Sequence, residues 1–447
     1  MDDLPPPLLL EILTRLTDPA DLARCRIASK TLNSTSRDLQ SVCLLCSFDR
    51  YAKYRSSLTR SSVTPFKQIF RRLLSELRTV KSVSIGVEKP LRTASYDDVE
   101  DEEDLYLTDV NFVEDWLPRV SQSLISVSIS DFWVQSCWRR STVLAVISSH
   151  CYNLVDLEIK NAWLSVNGLK PMPKLTSLTL EYVRLDDENL ENISGCFPCL
   201  QVLNLIGVGG LKDPRVHLLD LRSCYWTVSN APNSVAVVAP KLVKLKLTCV
   251  RPKVLVIDAP LLAEMHFCIL KKSDYLKVEE FIKLETLHLE SMELGDLLCT
   301  FPLAKTIRSL TLDKINWVEP VGTGICLGSL SRNCPNVTTL TLAAGVWSEL
   351  ERHLCPECLE VRTNMWGLKD ITAYLVLNNI DSTLSFIKTV LESCPNLSDI
   401  ALLIHRDVVS SVSCNLISKC AAYCPGIRWR WGMWKEGTKD AWISHSL

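Results

Sequence analysis

The 447-residue sequence lacks several features that would assign it to a common class. No apolar run reaches about 18 residues, the length a membrane-spanning helix needs, so we expect no membrane partner. Asp2 and Asp3 stand where a secretory signal would be basic, and the C-terminal segment has no cysteine for prenylation. The formal net charge is only −2, so overall charge selects neither a polyanionic nor a polycationic partner.

Motifs typical of enzymes are also missing. The sequence contains no H-E-x-x-H zinc-protease helix, no G-x-S-x-G nucleophile turn and no phosphate-binding P-loop. Gly322, Gly324 and Gly328 resemble the spacing of a nucleotide loop, but no βαβ unit with an acidic ribose partner accompanies them. We interpret them as a turn, and we expect neither catalysis nor a cofactor.

The 19 cysteines form an odd set without a secretion signal. We therefore expect free thiols that act as small buried apolar groups, and a protein of the cytoplasm or nucleus. Three C-x-x-C spacings occur, at Cys43/Cys46, Cys196/Cys199 and Cys355/Cys358. The first pair falls in a segment expected to be helical. The other two lie beside Pro198 and Pro356 at repeat corners, the turns that lead from one repeat into the strand of the next. We therefore expect structural thiols and no metal site.

Residues 1–46 have the pattern of a small helical module. Pro5 and the prolines after it suit a first helical turn, and Asp18 precedes Pro19 as an N-cap precedes the first residue of a helix. A third short helix is expected from about Leu32 to Leu39. So short a chain buries little surface, which favours docking of its remaining apolar face on a partner.

These residues resemble the F-box, through the Leu-Pro opening, Ile12-Leu13, Leu16, Asp21-Leu22, Cys25-Arg26 and Lys30. The resemblance implies binding to the Skp-type adaptor, and through it to a cullin, of SCF (Skp–cullin–F-box) ubiquitin ligases. The residues it assigns to adaptor binding are Leu4, Pro5, Leu8, Ile12, Leu13, Leu16, Leu22 and Ile27. Ala28, Ser29 and Leu32 depart from the family's Val-Cys and Trp, so we expect a smaller buried area and a weaker complex. The alternative is a helical cap on the segment that follows.

From residue 80 onward an L-x-x-L-x-L pattern repeats, with most starts about 20–30 residues apart, which is the period of leucine-rich repeats. Each repeat predicts one strand of a sheet. The repeats are Val80–Val83–Ile85, Leu124–Val127–Ile129, Leu154–Leu157–Ile159, Leu175–Leu178–Leu180, Leu200–Leu203–Leu205, Val216–Leu219–Leu221, Leu242–Leu245–Leu247, Leu262–Met265–Phe267, Leu284–Leu287–Leu289, Ile307–Leu310–Leu312, Val337–Leu340–Leu342, Ile371–Tyr374–Val376 and Leu397–Ile400–Leu402.

Helices are expected between some of these strands, at 141–150, 187–195, 325–333, 383–393 and 408–423. Units such as 239–262 carry Ala-Pro pairs instead, which predicts an irregular connection. The polar positions of each strand should face outward on a concave surface. From these positions and the C-terminal segment we select possible target-binding residues: Glu158, Lys160, Lys244, Lys246, His266, His288, Trp429 and Trp431.

The basic segment 50–81 contains nine Lys or Arg residues and one acid, Glu76. Such a patch could contact nucleic acid, but Phe66, Phe70 and Leu74 have helical spacing, so we favour an amphipathic helix that caps the first repeat and do not expect a nucleic-acid partner. The acidic run at 97–104 is interpreted as a solvated loop, with target binding or masking of the basic segment as alternatives.

The C-terminal tryptophans, Trp429, Trp431, Trp434 and Trp442, are dense enough to need explanation. Alternation of Trp429 and Trp431 predicts a last strand, and a terminal repeat needs a modified cap. The alternative is an aromatic patch for target binding.

Nearly the whole chain therefore resembles plant-type F-box/leucine-rich-repeat proteins. The resemblance implies an α/β fold, a leucine-rich-repeat solenoid (horseshoe) preceded by a small all-α F-box three-helix module. The expected boundaries are 1–46 for the F-box, 47–79 for a basic helical linker, and 80–447 for the solenoid with an acidic loop at 97–109 and a Trp-rich C-terminal cap.

The function it implies is substrate recognition in an SCF-type E3 ubiquitin ligase, with the repeats binding an unknown target protein for ubiquitination by other subunits. Two alternatives remain. One is an interaction scaffold that has lost adaptor binding. The other is a receptor gated by a small molecule, in which Lys244 and Lys246 would hold an anion.

Overall fold

The computed structural model describes residues 4–16, 18–53, 63–88, 102–132, 138–228, 230–271, 273–278, 281–300, 305–315, 325–352 and 365–443. The chain divides into two compact units, Met1–Asn230 and Ala231–Leu447. In the described residues, no helix has both the length and the apolar character needed to cross a membrane.

The first unit begins with three short helices, α1 (Pro6–Thr14), α2 (Pro19–Ala28) and α3 (Lys30–Ser36). The expected N-cap at Asp18 is confirmed, because its side chain accepts a hydrogen bond from Ala20 N at 2.9 Å. The buried apolar cluster of this module consists of Leu9, Leu13, Leu32 and Leu39.

Further helices of the first unit are α4 (Phe48–Lys53), α5 (Phe66–Ser75), α6 (Glu102–Leu105), α7 (Val110–Val120), α8 (Val143–His150) and α9 (Asp187–Cys196). The amphipathic helix expected in the basic segment is confirmed as α5. Its Phe70 packs against Phe112 and Trp116 of α7, with ring centroids 5.9 and 5.3 Å apart. The aromatic contacts hold α5 against the rest of the unit.

The acidic run is not wholly a solvated loop, which corrects the expectation. Asp104, its last member, accepts hydrogen bonds from Phe66 N at 2.7 Å and Lys67 N at 3.1 Å. It thus satisfies backbone donors at the N-terminus of α5, where the helix dipole favours a negative charge. Residues 97–101 of the run lie outside the described part of the chain.

The strands of the first unit are β1 (Ser41–Ser47), β2 (Ser82–Glu88), β3 (Ser126–Ser130), β4 (Arg140–Ser141), β5 (Asp156–Lys160), β6 (Trp163–Leu164), β7 (Ser177–Glu181), β8 (Val202–Val208), β9 (Arg215–His217) and β10 (Ser223–Val228). Its main sheet is parallel, in the order β1-β2-β3-β5-β7-β8-β10. Apolar positions of neighbouring repeats lie opposite each other, as in the pair Leu157 and Leu178.

Two details of this sheet differ from expectation. It starts with β1, before the first expected repeat, so Cys43 and Cys46 lie in a strand and not in a helix. The strand expected at Val216–Leu219–Leu221 is displaced: the sheet strand is β10, with Cys224 and Trp226 buried, while Leu219 is 61% exposed.

The second unit contains β11 (Ser234–Val238), β12 (Lys244–Cys249), β13 (Val254–Asp258), β14 (Glu264–Ile269), β15 (Tyr275–Val278), β16 (Thr286–Ser291), β17 (Ser309–Asp313), β18 (Thr339–Leu342), β19 (Asp370–Leu375), β20 (Asp399–His405), β21 (Arg428–Trp434) and β22 (Ala441–Trp442). Its helices are α10 (Leu294–Thr300), α11 (Leu327–Asn333), α12 (Ala344–Arg352), α13 (Ile380–Ser393) and α14 (Ser410–Tyr423). All five expected connecting helices of the chain are therefore confirmed, as α8, α9, α11, α13 and α14.

The main sheet of this unit is parallel in the order β12-β14-β16-β17-β18-β19-β20-β21, and β22 closes it antiparallel to β21. In β19 the buried residues are Ile371, Ala373 and Leu375, and Leu368 before the strand is buried as well. Ile371 lies opposite Leu340, the middle apolar residue of the preceding repeat. The repeat is therefore Leu368–Ile371–Ala373, and the expected frame, Ile371–Tyr374–Val376, was wrong by three positions.

The connections in units such as 239–262 are regular, which corrects another expectation. Strands β11, β13 and β15 form a second parallel sheet. Val235 and Val237 of β11, and Leu255 and Ile257 of β13, are fully buried. The Ala-Pro pairs thus follow strands that replace helices in these repeats.

Asparagines at the repeat corners link successive repeats. Asn153 donates a side-chain hydrogen bond to Gln122 O at 2.9 Å, Asn336 to Lys305 O at 2.6 Å and Asn396 to Trp366 O at 2.8 Å. The corner thiols of Cys151, Cys334 and Cys394 are buried, and burial raises their pKa to about 12, 11 and 12, respectively. They are structural thiols, as expected for corner cysteines. Cys355, Cys358, Gly322 and Gly324 lie outside the described residues.

Candidate binding surfaces

The N-terminal module exposes an apolar stripe. In α1 the side chains alternate between two faces: Leu9 and Leu13 enter the interior at 1% and 2% exposure, whereas Leu8 and Ile12, also one helical turn apart, are 49% and 41% exposed. Ile27 of α2 is 87% exposed. Such a concentration of exposed aliphatic residues on a small module is typical of a protein-binding surface.

The residues that we predicted for adaptor binding separate into two groups. Leu4, Leu8, Ile12 and Ile27 are exposed, and Pro5 is exposed while its carbonyl accepts the first hydrogen bonds of α1. Leu13 lies in the interior, and Leu16 and Leu22 are partly buried against it. Leu13 therefore does not contact a partner directly, and any role in adaptor binding is to support the exposed residues from the interior.

Two of the three departures from the F-box pattern have structural roles. Ser29 caps α3 by accepting a hydrogen bond from Leu32 N at 3.2 Å, and Leu32 is a buried member of the aliphatic interior. Ala28 alone of the three is exposed. The departures thus change the interior of the module more than its apolar surface.

Arg26 holds the module to the following segment. Its side chain is only 12% exposed and contacts Glu76 in an ion pair, and its Nε donates to Ser36 Oγ at 2.8 Å. The positive charge of Arg26 is therefore paired within the chain.

On the outward face of the first unit's sheet, the two predicted target-binding residues pair with each other. Lys160 Nζ lies 3.2 Å from Glu158 Oε1 and 3.1 Å from Glu181 Oε2. Although partial burial opposes it, this pairing raises the pKa of Lys160. Ser128 Oγ also donates to Glu158 Oε2 at 2.6 Å. The result is a self-neutralised ionic network.

In the second unit, the structure brings four of the predicted residues to neighbouring positions. Lys244 and Lys246 of β12 lie opposite Glu264 and His266 of β14, and His266 lies opposite His288 of β16. Lys244 Nζ lies 2.9 Å from Glu264 Oε2, so its charge is already paired. The outward orientation that the sequence predicted for these positions is confirmed.

His266 and His288 form a stacked pair, with ring centroids 3.9 Å apart and planes at 9°. Burial, assisted by the neighbouring His266, lowers the pKa of His288 to about 4, so its ring is neutral at pH 7. Glu290 of β16 lies 3.7 Å from His266 Nε2, and the interaction with His266 lowers the pKa of Glu290 against the effect of burial.

The C-terminal tryptophans mainly form a cap. Trp431 and Trp434 are 2% and 8% exposed, and the indole N–H of Trp434 donates to Leu375 O at 3.2 Å. Trp431 is therefore not available to a target, which corrects its assignment. Trp429 is half-buried and stacks on Trp431 with ring centroids 5.7 Å apart.

A basic groove was missed by the sequence analysis. It has a volume of about 890 Å³ and is lined by four cations, Lys283, Lys305, Arg308 and Lys369, and by one acid, Glu285, with Trp366 62% exposed beside them. Across the described part of the chain, none of these four cations forms an ion pair. The sequence contained a signal for this groove: Lys283 precedes Leu284, Arg308 follows Ile307 and Lys369 follows Leu368, which are the first apolar residues of three repeats.

Comparison with known proteins agrees with this geometry. Residues 1–44 match the family model described as F-box-like. The chain is 47% identical over 450 residues to the F-box/LRR-repeat protein At4g29420 of Arabidopsis thaliana, and the match covers 99% of this chain and 100% of that protein.

Proposed function

The chain belongs to the F-box/LRR-repeat proteins, and from that membership we propose that it is the substrate-recognition subunit of an SCF-type ubiquitin ligase. The N-terminal module docks a Skp-type adaptor, which connects the chain to a cullin. The repeats bind a target protein. Ubiquitin transfer itself is carried out by other subunits, and this chain is not catalytic.

The observation that carries the proposal is the exposure of Leu8, Ile12 and Ile27 on a module that has a buried apolar cluster of its own. The interior side chains fold the three helices, so the exposed ones are not needed for folding. Burying an exposed aliphatic side chain on a partner contributes about 1.5–3 kcal/mol. Docking would therefore place water-exposed apolar surface in an interface.

The contribution of the repeats to the reaction is proximity. A target held by the same chain that binds the adaptor meets the ubiquitin-loaded subunit at an effective concentration on the order of millimolar. This explains how a chain without catalytic groups of its own can control a reaction.

For the target we propose an acidic segment that lies in the basic groove. Lys283, Lys305, Arg308 and Lys369 present positive charge that is not paired within the described residues, and the exposed Trp366 offers an apolar anchor. In contrast, Glu158, Lys160 and Lys244 already pair with neighbouring side chains. An arginine or lysine that is unpaired in the free protein gains more from an acidic partner than one that must first break an ion pair.

Adaptor binding is tested by co-purifying the full chain with a plant Skp-type adaptor. We expect a stoichiometric complex with the wild-type chain and its loss in the Leu8→Ala/Ile12→Ala/Ile27→Ala variant. The matched control is Ile125→Ala, which removes an isoleucine that is 41% exposed outside the module. A folded wild-type chain that forms no complex would refute the ligase proposal and leave the scaffold alternative.

Target binding is tested separately in the assembled complex with the Lys305→Glu/Lys369→Glu variant. We expect an unchanged adaptor complex and loss of affinity for targets captured by the wild type. Reversal at Lys388, an exposed lysine outside the groove, is the control. Equal target capture by both variants would show that the groove is not the target site.

A further inference from the structure

The outward face of the second unit carries a cluster of metal-binding side chains, His266, His288 and Glu290. They come from two adjacent parallel strands, and the register places His266 directly opposite His288. One ligand atom from each residue lies within 4.8 Å of the others. Within the described residues, no other group of three such side chains meets this spacing.

The two imidazoles have unsatisfied atoms. The Nε2 atoms of His266 and His288 are both shielded from solvent and have no partner within hydrogen-bond distance, since the nearest carboxylate oxygen of Glu290 is 3.7 Å from His266 Nε2. A shielded polar atom without a partner costs about 1–3 kcal/mol, so both rings gain from a ligand that accepts their lone pairs.

We propose that His266, His288 and Glu290 bind a zinc ion, with a fourth coordination position open toward the outward face of the sheet. Two imidazoles and one carboxylate form a ligand set that suits zinc, and three protein ligands leave one position for water or an incoming side chain. The nitrogen donors disfavour magnesium and calcium, which prefer oxygen. The proposal does not depend on adaptor or target binding.

Binding requires the imidazole rings to turn. In the structure the rings are nearly parallel, so their in-plane lone pairs do not converge on one point. Zn–N bonds are about 2.0–2.1 Å long. The torsion that rotates an imidazole is broad, and both residues are only half-buried, so the proposal requires a rotation of the side chains and no change in the pairing of the strands.

The charged residues around the cluster have opposite effects on cation binding. Lys246 lies opposite His266 on β12 and disfavours a cation. Asp313 lies opposite Glu290 on β17, which brings two carboxylates to neighbouring positions. A bound cation would relieve the repulsion between these two carboxylates. Cys268 lies opposite Glu290 on β14 and brings a thiol close to the site.

The test uses the full chain, first treated with a chelator and then alkylated with iodoacetamide to block accessible thiols such as Cys414. Isothermal titration with Zn²⁺ should give one saturable equivalent. Replacement by Co²⁺ should give the visible absorption of a tetrahedral ion with nitrogen and oxygen ligands.

Glu290→Gln and His288→Ala should each abolish this saturable binding. The conservative Gln variant keeps the shape of the side chain and so separates lost coordination from misfolding. His217→Ala, which removes an exposed histidine outside the cluster, and Cys268→Ser should bind as the wild type does. Absence of a saturable equivalent, or binding that is lost in Cys268→Ser but retained in Glu290→Gln, would overturn the proposal.

Discussion

The change Ile27→Ala separates adaptor binding from folding more cleanly than any other substitution in the module. Ile27 is 87% exposed, so in the free protein almost none of its surface contributes to stability. Alanine also has the higher helix propensity. We therefore expect the free energy of unfolding of the free chain to change by no more than about 0.5 kcal/mol.

The effect on binding follows from the apolar surface that is lost. Ile→Ala removes three carbon groups, each worth about 0.8 kcal/mol when it passes from water into an apolar interface. Because Ile27 is 87% exposed before binding, nearly all of this contribution is available to the complex. The expected loss is about 2 kcal/mol, which raises the Kd for the adaptor roughly 30-fold.

Leu13→Ala gives the opposite signature. Leu13 is 2% exposed and packs in the aliphatic interior, so its truncation should cost about 2–5 kcal/mol of stability in the module. Adaptor affinity then falls because the module unfolds, and the fall should lessen at lower temperature. The Ile27→Ala effect should persist in a fully folded chain.

The assay combines isothermal titration with purified adaptor and thermal unfolding monitored in the module. Ile125→Ala, with an exposed fraction of 41%, controls for loss of an exposed isoleucine elsewhere. The reasoning fails if Ile27→Ala binds the adaptor as tightly as the wild type, because the most exposed apolar side chain of the module would then lie outside the interface.

Two further predictions concern buried charges. Glu349 pairs with Lys314 at 2.7 Å, with both side chains below 10% exposure at 5% and 8%, so Glu349→Ala should destabilise the second unit by about 3–5 kcal/mol because it leaves a buried cation unpaired. Glu392→Ala, in an exposed pair, should cost less than about 1 kcal/mol in the same denaturation assay, and equal effects would contradict the argument. Burial raises the pKa of Asp131 from 3.8 to about 7, although Thr108 and Leu107 donate hydrogen bonds to it. The folded state therefore holds a proton that the unfolded state releases, and stability falls as pH rises from about 4 to 7. Asp131→Asn has no such proton, so between pH 5 and 8 its stability relative to the wild type should increase by roughly 2–3 kcal/mol, and parallel pH profiles would show that Asp131 is ionised throughout.

The repeat pattern predicted most strands correctly because every apolar position of the pattern is buried in the interior of the repeats. The side chains at the first, fourth and sixth positions of L-x-x-L-x-L enter the interior and meet the same positions of the next repeat, as Leu157 meets Leu178. The pattern failed where the interior residue is not a typical aliphatic one. Ala373 in β19 and Cys224 and Trp226 in β10 are buried. The predicted repeats instead used nearby leucines or a tyrosine, because these residues fit the L-x-x-L-x-L pattern better.

The second sheet of the second unit could have been recognised from the sequence. Val235 and Val237, and then Leu255 and Ile257, alternate with a period of two, which is a strand signal. The Ala-Pro pair that follows was given more weight than the alternation before it. A proline directly after a strand marks the end of that strand and is no evidence against the strand itself.

The adaptor surface shows what periodicity alone cannot decide. Leu8, Leu9, Ile12 and Leu13 are all apolar, and they occupy a stripe too wide to be buried by a three-helix module. Which pair faces the interior depends on contacts with Leu32 and Leu39, which come from elsewhere in the chain. The sequence could thus predict the set of residues but not the division between interior and surface.

The histidine cluster could have been predicted by comparing equal positions in successive repeats, which a search for short motifs along the chain does not do. His266 follows Leu262 by four positions, and His288 follows Leu284 by four positions. In a parallel sheet with one strand per repeat, equal positions in successive repeats lie side by side, and here they do. Ligand spacing in this fold is therefore a distance between repeats, about 20–30 residues in sequence. Motifs defined by spacings of two to five residues cannot detect it, so aligning the outward positions repeat by repeat is the physically appropriate search for sites in such chains.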